Sequence, residues 1–129
     1  MKAIDQGTQK LMTRTVIAAV DDMFFISKIR ATAEHLGVDV RFSRNVDSLL
    51  TSAKESKADL IIVDLHAQKV DPIALATALK SDPELKAIEL LGFFSHVQTD
   101  LMREAKDAGY DRVMPRSAFS NDLATILAG

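Results

Sequence analysis

Leu60-Ile61-Ile62-Val63-Asp64, residues 60–64, decides how this chain is read: an apolar run of strand length that stops on a carboxylate. Runs of the same length recur at Thr15 to Val20, Val38 to Phe42, Leu90 to Phe94 and Arg112 to Met114. The segments between them are long enough for helices, so the chain alternates strand and helix. Five short strands alternating with five helices, joined by short connections, leave few topologies once crossovers must be right-handed. The expected fold class is α/β, with a parallel sheet.

The helical segments carry their own punctuation. Ile26, Ile29, Ala33 and Leu36 share one face of the first, and Gly37 stands where it should end. Asp22, ahead of that segment, suits an N-cap, and Asn45 suits the same role for the second. Asp71 followed by Pro72 opens the third, because proline fits a first turn whose N–H has no partner anyway. That helix should run to about Lys80 and break at Asp82 and Pro83. Thr99 is the expected cap of a fourth helix carrying Leu101, Ala105 and Ala108, with Gly109 past its end. Ser117 or Ser120 opens a fifth, with Phe119, Leu123 and Ile126 inward.

A chain of 129 residues suits one compact domain that needs no disulfide or metal staple. Met1 to Met12 read as a tail or an alternative start without the apolar core of a secretory signal, leaving 13–129 as the folded unit. Apolar residues make up 47% and charged residues 26%, and the apolar runs fall far short of a bilayer span, so no membrane partner is expected. A formal charge of -2 gives no basic stripe for nucleic acid. The absence of cysteine excludes disulfides and thiolate zinc sites and suits a cytoplasmic location.

In open parallel sheets, sites gather beyond the carboxyl ends of the strands. Asp21 and Asp22 follow the first strand, Asp64 ends the third, Ser95 follows the fourth and Arg116 the fifth. With a strand order of 2-1-3-4-5 the first and third strands are neighbours, and three carboxylates converge. Such carboxylates repel one another unless a cation or proton compensates. Magnesium takes oxygen ligands and keeps several waters, so a carboxylate pair and a backbone carbonyl form a suitable set. Asp64 could then attack a phosphoryl group while the metal and Arg116 offset the developing charge.

From Thr13 onward the chain resembles response-regulator receiver domains. The resemblance rests on Val20-Asp21-Asp22, Leu60-Ile61-Ile62-Val63-Asp64-Leu65, Lys80-Ser81-Asp82-Pro83-Glu84-Leu85 and Ala108-Gly109-Tyr110-Asp111, in order and at the family's spacing. It implies a flavodoxin-like, doubly wound (βα)5 fold with strand order 2-1-3-4-5. By position, Asp21 and Asp22 match the family's metal-binding acids, Asp64 its phosphoryl acceptor, and His66 the residue whose carbonyl completes the metal ligands. The resemblance implies magnesium as cofactor, a histidine kinase or phosphotransfer protein as donor, and no enzymatic turnover. With no effector domain after Gly129, a stand-alone receiver in a bacterial two-component system, passing its signal by contact with a further protein, is expected.

The departures shape the alternatives. Where the family has Lys then Pro, this chain has Arg116 and Ser117, with Pro115 one position early. Arginine is a wide planar fork that either cradles a phosphoryl group or locks onto Asp64; its plainer role is a surface pair with Asp111 or Asp122. Ser95 is the nearest match to the family's hydroxyl residue, although counting back from Gly109 reaches Phe94 unless the loop is one residue shorter. Val113 stands where the family has a switching aromatic, and Ala67, Gln68 and Pro72 depart from the usual loop after the acceptor. These changes support a second reading, a pseudo-receiver that binds partners without phosphorylation. A third, a small phosphoryl hydrolase, lacks an acid two residues after Asp64, where His66 stands.

The histidines carry little further weight. His35 reads as a surface residue of the first helix, while His66 and His96 fall in loops near the site without the spacing of a zinc centre. Asp64-Leu65-His66 superficially resembles the Asp-x-His motif of cobalamin-binding domains, which needs glycine where Lys69 stands and follows a first strand. Of Phe24 and Phe25, one is expected in the core and the other exposed near the acids as a partner contact.

Overall fold

A computed structural model describes residues 13–95 and 98–129. The expected Met1–Met12 tail and His96 lie outside them. The chain order is β1 Thr15–Ala19, α1 Met23–Leu36, β2 Asp39–Phe42, α2 Val46–Ser56, β3 Leu60–Asp64 and α3 Pro72–Ser81, followed by β4 Glu89–Phe94, α4 Thr99–Ala108 and β5 Arg112–Pro115, then α5 Arg116–Asn121 and α6 Leu123–Ala128. The strands form one parallel sheet in the order β2-β1-β3-β4-β5, so the doubly wound flavodoxin-like fold expected from the sequence is present.

The central strands β1, β3 and β4 are apolar except at their ends, where Thr15, Asp64 and Glu89 stand, because both faces of the sheet are covered. One core layer joins alternate strand residues such as Ile17, Ile61, Val63 and Leu90 to Leu49 of α2, Leu75 and Leu79 of α3 and Ala105 of α4. The other joins Val16, Ala18, Ile62, Leu91 and Phe93 to Phe25 and Ile29 of α1 and to Phe119, Leu123 and Ile126 near the carboxyl terminus. This two-sided cover leaves the carboxyl edge of the sheet to loops, which is where the acids stand.

The caps follow the side-chain chemistry in most places. Asp22, Asn45 and Asp71 each accept backbone N–H bonds at the starts of α1, α2 and α3, and Gly37 ends α1 in the left-handed region. Three expectations differ. Thr99 is the first helical residue of α4 rather than its cap, which is Gln98 with no side-chain bond. The last helix begins at Arg116, directly after Pro115, and is interrupted at Asp122; Asp122 N still donates to Ala118 O and Ile126 N to Asp122 O, so the break is a local distortion. On α1, Phe25 joins Ile29 and Ala33 in the core, whereas Leu36 is exposed beside the terminal turn. Among the described residues, no helix is long and apolar enough to cross a membrane.

Candidate functional site

The register sets the site. Ala19 pairs with Val63, and Asp64 with Phe93, so the ends of β1 and β3 lie side by side. Asp21 and Asp22 stand just beyond β1, and Asp64 is the last residue of β3. All three border one cleft of about 450 Å³, together with His66, Ala67, Gln68 and Lys69 from the loop after β3. The three acids and His66 thus border one volume, and Lys69, which the sequence had not put in the site, adds a cation to the rim.

Each carboxylate is already held. Asp21 Oδ2 accepts from Gln68 N at 3.0 Å, tying the loop after β1 to the loop after β3. Asp64 Oδ1 accepts from His66 N at 2.9 Å, while Ala67 N donates to the Asp64 carbonyl at 2.9 Å, so the chain turns sharply after the strand. Asp22 is the most committed. Its Oδ1 accepts from Phe24 N at 2.9 Å and Phe25 N at 3.3 Å as the cap of α1, and its Oδ2 accepts from Arg116 Nη2 at 2.9 Å.

Burial pushes the Asp64 carboxyl above its ordinary range, opposed by the His66 N–H and by the charges of His66 and Arg116, and reinforced by the nearby Asp21 carboxylate. Asp22 moves the other way: the Phe25 N–H lowers it first, burial opposes this, and Arg116 and the Phe24 N–H together tip the balance downward. Neighbouring acids thus shift in opposite directions from the ordinary carboxyl value because one is buried at the end of a strand and the other caps a helix.

Arg116 reaches neither Asp111 nor Asp122, and its ion pair is with Asp22 rather than Asp64. Its guanidinium carbon lies 4.4 Å from the centroid of the Phe25 ring, a cation–π contact. Phe25 is in turn wedged edge-on against Phe93 and Phe119, which stack on each other at 4.5 Å. Asp111 is occupied elsewhere, accepting from Leu90 N at 2.8 Å and pairing with Lys80. The expectation of one buried and one exposed phenylalanine holds: Phe25 is in the core, and Phe24 is 72% exposed beside Met23 at 71%.

Ser95 lies just past β4 and is exposed; among the described residues it is hydrogen-bonded to none of the acids and does not line their cleft. Phe94, the other candidate for that position, is buried in the core layer with Val113 packed against it. The donors around the cleft are oxygens, which suits a hard divalent cation. Their present arrangement does not form a cage: among the described residues, no three His, Asp or Glu side chains are grouped to hold a metal ion. Asp21 Oδ1 and Asp64 Oδ2 carry no hydrogen bond among the described residues, whereas both Asp22 oxygens are engaged.

No protein-family profile matches the chain. The response regulator protein VraR of Staphylococcus epidermidis is 29% identical over 100 residues, covering 77% of this chain and 46% of the relative. The chain thus spans about half the length of the curated relatives it matches. Among solved structures, a response regulator from Hahella chejuensis superposes with a TM-score of 0.80 at 19% identity, covering 90% of this chain and 93% of that one. The chemotaxis response regulator CheY4 of Vibrio cholerae gives 0.77 at 17% identity over 90% and 97%. The phosphorylated cyanobacterial phytochrome response regulator RcpA gives 0.71 at 21% identity over 91% and 90%. The fold is that of response-regulator receiver domains.

Proposed function

We propose that this domain accepts a phosphoryl group on Asp64 from a histidine kinase or phosphotransfer protein and passes the signal by protein contact within a two-component pathway. The observation that carries this reading is the convergence of Asp21, Asp22 and Asp64 on one cleft at the carboxyl ends of adjacent strands. The receiver-type fold supports it, as does the response regulator among the curated relatives.

In the proposed step a carboxylate oxygen of Asp64 forms a bond to phosphorus as the bond from phosphorus to the donor imidazole nitrogen breaks. The nitrogen keeps the electron pair and recovers a proton, leaving an acyl phosphate on the aspartate. Burial makes the Asp64 carboxylate more basic than a surface acid, and therefore a better nucleophile. The His66 N–H holds one oxygen and so orients the other. Asp21, Asp64 and the His66 carbonyl are the first candidates to hold magnesium, with Asp22 joining once Arg116 leaves it. A bound magnesium ion would supply positive charge against the equatorial phosphoryl oxygens. Lys69 borders the same volume and Arg116 acts electrostatically on Asp64 from beside it, so both would attract the anion. Ser95 is retained as a candidate contact to the phosphoryl oxygens, which requires its loop to draw inward.

The test is incubation with magnesium and a small acyl phosphate, read by intact-protein mass. One added phosphoryl group, absent in Asp64→Asn, is the expected result. No labelling at saturating donor would favour the pseudo-receiver, for which the engagement of both Asp22 oxygens and the aliphatic Val113 already speak. Many turnovers of donor per protein would return the hydrolase reading to first place.

A further inference from the structure

We infer that Arg116 is a built-in counter-cation of the acid cleft, one that rests on the Phe25 ring while it pairs with Asp22 and competes with a divalent cation for that carboxylate. The inference deepens the proposed function and rests on its reading of the cleft. A single side chain meets both the charge and the shape requirements. Arg116 Nη2 bonds Asp22 Oδ2 at 2.9 Å, and its guanidinium plane has an aromatic shelf 4.4 Å away. Asp22 Oδ1 is spent on the helix cap, so a metal must compete with the guanidinium for Oδ2 while the pair persists.

The shelf is rigid. Phe25 is 2% exposed and clamped by Phe93 and Phe119, both fully buried. Arg116 itself opens α5 directly after Pro115, so its backbone is fixed by the end of β5. The pair nonetheless faces solvent, with the Arg116 and Asp22 side chains 39% and 38% exposed. An ion pair so exposed is screened and cheap to open. The arrangement therefore opposes a metal without excluding it, and cation binding requires the guanidinium to swing off Asp22. Lysine could balance the charge but could neither fork onto the carboxylate nor stack on the ring.

The test is titration of the full chain with magnesium alone, followed by amide NMR shifts of Asp21, His66 and Gln68. Loss of the competing pair and of its aromatic contact should tighten binding in Arg116→Gln by about five- to tenfold. Arg116→Lys should fall between that variant and the parent. In the unmodified chain the Arg116 Nε–H resonance should move with the same midpoint as the amides, a readout that holds even if a variant folds poorly. Equal affinities in the parent and Arg116→Gln would overturn the inference, as would an Arg116 resonance that stays put while the amides saturate. Phosphoryl labelling is measured in parallel: tighter magnesium binding without labelling upholds this inference and sinks the proposed function, whereas labelling with unchanged affinity does the reverse.

Discussion

The Tyr110 hydroxyl donates to the Pro72 carbonyl oxygen across 2.9 Å, joining the approach to β5 to the first turn of α3. The ring reaches there over Gly92 of β4, and it is 5% exposed. Desolvation holds the phenol well above its ordinary ionisation range, with the nearby Asp71 carboxylate adding to the effect. The chain contains one tyrosine and no tryptophan, so its near-ultraviolet absorbance reports on this contact almost alone. An alkaline titration should show no phenolate band through the ordinary range, then its sudden appearance with unfolding. A smooth ionisation near pH 10 would show that the ring is not sealed. Tyr110→Phe should cost about 1 kcal/mol in denaturant unfolding, the net worth of a neutral hydrogen bond.

Asp64 should cost stability as an ionised group. Its folded carboxyl binds a proton more tightly than the unfolded one, so stability falls as pH rises from the ordinary 3.8 through the raised folded value, and the penalty is complete above it. Asp64→Asn keeps an acceptor for the His66 N–H and removes the charge. It should therefore be more stable than the parent near neutrality by about 1 kcal/mol, the usual scale when a destabilising functional group is replaced. The gain should vanish near pH 3, where both folded states are uncharged at this position. A variant equally stabilised at both pH values would show that charge burial is not the cause.

Asp22 should behave in the opposite sense, because its folded carboxyl lies below the ordinary value. Its contribution is present above pH 3.8 and is lost as pH falls through the lowered folded value. Asp22→Ala removes the cap of α1 and should cost about 1 kcal/mol. Asp22→Asn keeps an acceptor for the Phe24 and Phe25 N–H groups and loses only an exposed pair, so its cost should be about 0.5 kcal/mol or less and should shrink with added salt. Chemical denaturation of both variants at low and high ionic strength separates the two roles; equal losses would show that the Arg116 pair, not the cap, carries the effect.

These acids also mark how far a linear reading reaches. That Asp21, Asp22 and Asp64 share a cleft was legible, because strand ends are local apolar patterns and strand adjacency follows from a small set of topologies. The caps at Asp22, Asn45 and Asp71 were legible for the same reason, being decided within four residues. The partner of Arg116 was not. Asp64, Asp111 and Asp122 were all open choices, and the outcome depends on where Phe25 stands, which is fixed by Phe93 on β4 and Phe119 on α5. The end of α2 escaped as well: Lys57 takes the left-handed conformation that Gly37 takes after α1, and a lysine gives no sign of it.

The same long-range packing makes Gly92 a sensitive position. A Cβ there would lie 2.9 Å from Leu65 Cδ2 and 3.0 Å from the Tyr110 ring, although Gly92 needs no unusual backbone angle. The glycine is required by the ring laid across β4, so Gly92→Ala is an overpacking substitution, which typically costs about 1–3 kcal/mol. Leu65 directly follows Asp64, and its amide bonds to Phe93 O at 2.9 Å, so displacing it should also disturb the Asp64 carboxylate and, under the proposed function, lower phosphoryl labelling. In a Tyr110→Ala background the ring is gone and the added methyl has room. The double variant should then lose at least about 0.5 kcal/mol less than the sum of the two singles, a coupling within the range of touching residues. Strict additivity would place the strain at Leu65 alone and leave Tyr110 without a part in it.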